Sequence, residues 1–208
     1  MIHNTDVKPS RRRYASALRE EQAEATRTRI LEALVRTMAA GVAGLSIPAV
    51  AREAEVSIPT IYRHFGSKQG LVEALNPYVI SKGGLMPEPM PQTMEELGPM
   101  LQTLFHNLDA MDLTLRAAMA SELGQEVRQV TMPKRRAMIR EFAGRLAPDL
   151  LDAELDRLAD LMLILVSTAG FRAYKDYLGL GPDASAALAS WAIRTLIDGA
   201  RTAAEGST

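Results

Sequence analysis

The sequence predicts an all-α protein of about nine helices: an N-terminal helix-turn-helix bundle of three, a linking fourth, and a larger C-terminal helical domain. Three observations predict it. Apolar residues recur at helical spacing almost throughout, and no stretch alternates convincingly with a period of two. Serine followed two residues later by proline occurs at Ser46/Pro48 and Ser57/Pro59, each time opening a short apolar-periodic segment. The stretch "SKGGLMPEPMPQT", residues 81–93, holds two Gly and three Pro, which a helix cannot carry through.

The elements follow in order. Residues 1–21 read as a flexible basic tail whose Arg11-Arg12-Arg13 either stays solvated or enters a minor groove. The first helix covers 22–40, with Ile30, Leu31, Leu34, Val35 and Met38 on one face and Gly41 just beyond its end. Ser46 caps a short second helix that ends near Ala54, and Ser57 caps a third that ends near His64. Ser67 caps a fourth reaching Ile80, which completes a domain at 22–80. Residues 81–208 form the second domain, with helices at 94–110, 113–128, 132–146, 152–178 and 183–203, punctuated by Pro133, Pro148 and Gly179-Leu180-Gly181-Pro182.

Composition narrows the chemistry. With 47% apolar and 24% charged residues the 208-residue chain suits a soluble globular protein. The absence of cysteine excludes disulfides and thiolate metal sites. No apolar signal region opens the chain, and its longest uncharged apolar run, "LMLILVSTAGF" at 161–171, falls short of the roughly 20 residues that span a bilayer. A cytoplasmic protein with no membrane role is expected. The net charge of −1 hides an asymmetry: residues 1–70 hold 11 Lys or Arg against 7 Asp or Glu, and the rest of the chain is acidic. Such a division suits a protein that touches a polyanion with one end only.

The stretch "TIYRHFGSKQGL", residues 60–71, concentrates hydrogen-bond donors. Two short helices separated by Glu55-Val56-Ser57 suit a helix-turn-helix, whose second helix enters the DNA major groove. At 100° per residue, Ile58, Ile61 and Phe65 share one side with Tyr62 flanking, while Thr60 and Arg63 point away and Pro59 and His64 lie at the margins. Arginine pairs bidentately with guanine, Thr60 and Tyr62 offer hydroxyls, and Lys68 stands in the first turn of the next helix beside free backbone N–H groups. A polar helix face is equally what a solvated surface shows, so this geometry leaves both readings open. His64 lacks a partner placed to make it a catalytic base, and with only His3 and His106 besides, no metal site is legible; no cofactor is expected.

The residues themselves go further. Val56-Ser57-Ile58-Pro59-Thr60-Ile61-Tyr62-Arg63-His64-Phe65-Gly66-Ser67-Lys68-Gln69-Gly70-Leu71, preceded by Leu45-Ser46 and Val50-Ala51, resembles the DNA-binding signature of the TetR family of bacterial transcriptional regulators. The Thr-x-Tyr-x-His-Phe motif followed by x-x-Lys-x-x-Leu is complete, and the resemblance covers roughly 26–80. It implies that Thr60, Tyr62, His64 and Lys68 meet operator phosphates or base edges. Ser46 and Ser57 match caps that also meet the backbone, and Pro59 and Arg63 match positions that set operator preference. Two departures stand out. Ile47 and Pro48 occupy a place where some members carry a polar contact, and Gln69-Gly70 replaces better helix formers, which predicts a loose first turn in the fourth helix.

The resemblance also implies a homodimer whose last two helices form a four-helix interface, on a C-terminal domain that binds an effector. The sequence agrees on the dimer: the run from Leu161 to Phe171 is uncharged all round, and the last helix shows two apolar faces. Leu165, Leu188, Trp191, Ala192, Thr195 and Gly199 are the candidate interface residues. Met100, Phe105, Met119, Met138, Met162 and Phe171 are candidates to line an adaptable cavity for a small apolar or amphipathic effector, and equally ordinary core. The expected function is that of a repressor, not an enzyme, bound to a near-palindromic double-stranded DNA operator and released by a small molecule. A regulator answering to a protein partner, and a small-molecule carrier or enzyme, are the alternatives.

Overall fold

In the computed structural model, the described residues are 11–41, 45–85 and 91–205, and they form ten helices with no strand. The head comprises α1 (Arg11–Ala39), α2 (Ile47–Glu53), α3 (Ile58–Phe65) and the connecting α4 (Lys68–Gly83). The body comprises α5 (Met94–Asp109), α6 (Leu113–Ala120), α7 (Glu122–Leu146), α8 (Asp152–Leu165), α9 (Thr168–Leu178) and α10 (Pro182–Glu205). The head's core is the predicted stripe of α1, with Ile30, Leu31, Leu34, Val35 and Met38 buried against Val50, Ile61, Phe65, Leu71 and Leu75.

Helix α1 begins at Arg11, well before residue 22, so the chain from Arg11 to Glu21, expected as part of the tail, is helical, and residues 1–10 lie outside the described residues. The extension carries no apolar stripe, and periodicity alone therefore gave no sign of it.

Two predicted boundaries in the body fall elsewhere. Pro133 sits inside α7 rather than between helices. It is exposed, as is Gln129, whose carbonyl loses its partner, so water replaces the missing bond. The actual break is at Ser121. Likewise the segment 152–178 is two helices, interrupted at Val166-Ser167.

Both breaks share their chemistry with the predicted cap at Ser67. The sequences are Ser67-Lys68-Gln69-Gly70, Ser121-Glu122-Leu123-Gly124 and Ser167-Thr168-Ala169-Gly170. In each, the serine Oγ accepts a hydrogen bond from the glycine N–H, at 2.9, 3.1 and 2.9 Å respectively. In each, the glycine Cα lies against a carbonyl at the end of the preceding helix. A Cβ would stand 2.1 Å from Phe65 O at Gly70, 2.5 Å from Ala118 O at Gly124 and 2.3 Å from Ile164 O at Gly170. The serine ends one helix by starting another, and the glycine lets the two meet at a sharp corner. Gly70 is thus not the loose turn that helix propensity predicts. It is the close contact that fixes α4 against α3.

The body is built from antiparallel pairs. Arg136–Asp160 at 2.5 Å and Arg140–Asp156 at 2.7 Å set α7 against α8. Arg194 donating to Met94 O at 3.4 Å and His106–Asp183 at 3.0 Å set α10 along α5. Arg201 grips Asp149, just before α8, with bonds of 2.7 and 2.8 Å, and α10 packs on α8 as well as on α5. Between them, Phe105 stacks on Phe171 with ring centroids 5.1 Å apart, and Tyr174 meets Phe105 edge-on at 6.0 Å while donating to Leu165 O.

Two substitutions test the local chemistry. Glu55, in the turn between α2 and α3, holds a left-handed φ of 54°. Glu55→Gly should therefore raise the unfolding free energy by about 0.5–1 kcal/mol in chemical denaturation. Gly170→Ala must push α8 and α9 apart and should lower it by about 2 kcal/mol or more.

Candidate nucleic-acid interface

Helix α3 is short, and its direction is fixed from three sides. At its start, Ser57 Oγ accepts from the Thr60 N–H at 3.3 Å and lies 2.9 Å from the Thr60 hydroxyl. On its inner face Ile61 is fully buried and Phe65 nearly so. At its end Arg27 of α1 donates from Nη1 to His64 O at 3.0 Å and lays its guanidinium 4.5 Å from the Phe65 ring centroid. Arg27 has no signal in the local sequence, because its partner lies 37 residues away.

Ile58 departs from the predicted anchor. Its angle on the helix matches that of Phe65, yet it is 39% exposed, because it stands in the first turn beyond the reach of the covering helices. Ile61 and Phe65 carry the burial between them.

The outer face is open. Pro59, Tyr62, Arg63 and Lys68 are exposed, Tyr62 to 43%, and Thr60 and His64 are half-buried at the rim. Ser46, half-buried, caps α2 by accepting from Ala49 N–H at 3.3 Å, and Ser57 is exposed. The eight predicted contact residues therefore lie on or beside α3 and at the starts of the helices flanking it. Desolvation first, then the Arg63 and Arg27 guanidiniums, hold the His64 pKa below its ordinary value, with Glu24 opposing. His64 is consequently neutral at pH 7.

In the body the six predicted cavity residues all belong to the hydrophobic core or pack against it. Phe105, Met162 and Phe171 are buried in the core, and Met100, Met119 and Met138 are half-buried around it. A cleft of about 790 Å³ lies where head meets body. It is lined by Glu32 and Arg36 of α1, Tyr78 and Lys82 of α4, Asn107 of α5 and Asp112 at the start of α6. None of the six faces it. Lys82 reaches Glu32 at 3.3 Å across this cleft, and Tyr78 donates to the same carboxylate at 3.5 Å.

A three-helix unit with a capped, outward-facing second helix in a two-helix turn, joined by one long helix to an all-α body, has the helix-turn-helix arrangement. Residues 30–75 match the model of the bacterial regulatory proteins of the tetR family. Its overall fold is similar to that of a TetR-like transcriptional regulator from Rhodococcus sp. RHA1, at 19% identity and a TM-score of 0.53, with 83% of this chain and 93% of that one covered. It is also similar to a second transcriptional regulator from the same organism, at 20% identity and a TM-score of 0.50, covering 84% and 97%. A third structure, from Pseudomonas aeruginosa PAO1, shares 18% identity with a TM-score of 0.57 and covers 85% and 90%. No curated protein matches the chain significantly in sequence.

The surface yields a pH test. A phosphate placed beside His64 would favour the imidazolium, so binding would take up a proton and duplex affinity should rise as pH falls from about 7.5 to about 6. Fluorescence anisotropy at constant ionic strength should show that slope, and His64→Gln should flatten it.

Proposed function

We propose that this protein is a TetR-family transcriptional regulator, a dimeric repressor that places two α3 helices in successive major grooves of a near-palindromic operator, roughly 34–36 Å apart. Ser46, Ser57, Thr60, Tyr62, His64 and Lys68 hold the phosphates and base edges, and Pro59 and Arg63 set sequence preference. The observation that carries this reading is the division of α3 itself. Ile61 and Phe65 are sealed into the head while Tyr62, Arg63 and Lys68 stand in solvent with no carboxylate partner among the described residues.

The apolar surface of the body supports the dimer. Leu161 and Ile164, expected to be covered on every side, are 44% and 63% exposed on one face of α8, and Trp191 of α10 is 65% exposed. Leu165, Leu188 and Ala192 are half-buried beside them, and Thr195 and Gly199 are exposed along the same helix. Large apolar side chains left in water on two adjacent helices are what a second copy covers.

A small amphipathic effector taken by the body would release the operator through α4. That helix is tied to α1 by Glu32, Tyr78 and Lys82, packs on α7 of the body, and contacts α3 directly at Gly70. An effector that favours one setting of α4 changes the separation of the two heads.

Three measurements test this. Tyr62→Ala and Lys68→Ala should weaken binding to all duplexes alike, and each lost phosphate contact should reduce the salt dependence by about one ion. Arg63→Ala should instead change which fragments are retained in a selection from random duplex. Trp191→Glu should convert the dimer to monomer in sedimentation and lower operator affinity by about a hundredfold or more, with the helical content kept.

A further inference from the structure

Helix α7 carries five arginines, and three of them are matched to carboxylates: Arg136 to Asp160, Arg140 to Asp152 and Asp156, and Arg145 to Glu141. Arg128 and Arg135 are not. Arg128 is half-buried and gives its Nη1 to the carbonyl of Met119 at the end of α6, with no acid beside it among the described residues. Arg135 is half-buried and makes neither a hydrogen bond nor an ion pair among the described residues.

These two arginines lie seven residues apart, so two turns place them on one face, with Thr131 and Met138 between and beyond them. All four side chains are half-buried, and Val127, Ile139 and Phe142 on the same side are buried. This is the face that α7 turns into the body. Burial first, and then the Arg128 charge, push the Arg135 guanidinium below its ordinary pKa, so the protein holds this cation at a cost and offers it no counter-charge. Elsewhere on the same helix arginines meet aspartates of α8 with bidentate or shared bonds, which makes the unmatched inward pair a distinct arrangement.

We propose that Arg135, assisted by Arg128, receives the carboxylate of an amphipathic acidic effector, whose apolar part lies along Met119 and Met138. The inference rests on the reading that the body binds a small effector, and it names the chemical class. A planar guanidinium accepts a carboxylate through two parallel hydrogen bonds, and the thioethers adapt to an apolar tail of varied shape. The ligand supplies the missing negative charge and so stabilises the state that holds it.

The test uses the full-length protein and two matched pairs of probes, decanoate with decanol and 2-naphthoate with 2-naphthalenemethanol, read by thermal unfolding and by operator release. The acids should raise the midpoint and release DNA, and the alcohols should do so at least about tenfold less effectively. Arg135→Met should abolish the difference between acid and alcohol, and Arg135→Lys should keep part of it. Arg135→Met should also raise the midpoint of the ligand-free protein, since it removes a desolvated charge that has no partner, and should leave duplex affinity unchanged. Equal responses to acid and alcohol would overturn the inference while leaving an effector-responsive regulator standing. No response to any of the four would overturn both. A ligand-free Arg135→Met protein that is less stable, or one that becomes monomeric because the partner subunit supplies the counter-charge, would also overturn the inference.

Discussion

Burial of Ile61 and Phe65 orients everything the head presents. A helix of eight residues has little stability of its own, and α3 exists because these two side chains leave water and because Ser57 and Arg27 satisfy its two ends. Once the inner face is fixed, the 3.6-residue period leaves no choice about the outer one: Tyr62 and Arg63 must face solvent. Arg27 does two jobs in that arrangement. Its guanidinium closes the last turn of α3 through His64 O, and its flat face covers the Phe65 ring that would otherwise meet water. A polar surface suited to an anion is therefore the by-product of an apolar anchor placed on the opposite side.

The head was legible because its chemistry is local. Ser46, Ser57 and Ser67 each cap the helix that follows within three residues, and the spacing of apolar side chains on α1 matches the buried stripe. What was not legible there depends on distance. Arg27 and His64 meet across 37 residues, and Ile58 has the right angle but stands too near the helix end to be covered. The body was less readable for a related reason. Proline reads as a breaker at Pro133, yet an exposed proline inside a long helix removes only one backbone bond, and the freed carbonyl lies on the exposed side of the helix. Serine and glycine three residues apart were the real punctuation, at Ser121 and Ser167, and the same pair was already visible at Ser67. Methionines at helical spacing did not distinguish core from cavity, because both require the same apolar side chains.

Charge is managed differently in the two halves. On the outside of the body, arginines and aspartates lock antiparallel neighbours in register, as Arg136, Arg140 and Arg201 do. Such exposed pairs add little stability each, but they choose one alignment of two helices over its neighbours. On the head, Arg63 and Lys68 stand in solvent with no ion pair among the described residues. Cations without partners are retained where an external anion is the intended companion, and their exposure spares them the desolvation that a buried charge would meet.

The corner at Gly70 bears on how a signal could cross the molecule. No side chain separates the end of α3 from the start of α4, and backbone meets backbone there. A hinge cushioned by flexible side chains would absorb part of any tilt before it reached the groove-facing helix. This one has no such slack, so a tilt of the first turn of α4 would carry α3 with it. The same rigidity closes position 70 to mutational drift, since even a methyl group there would act as a wedge in the joint.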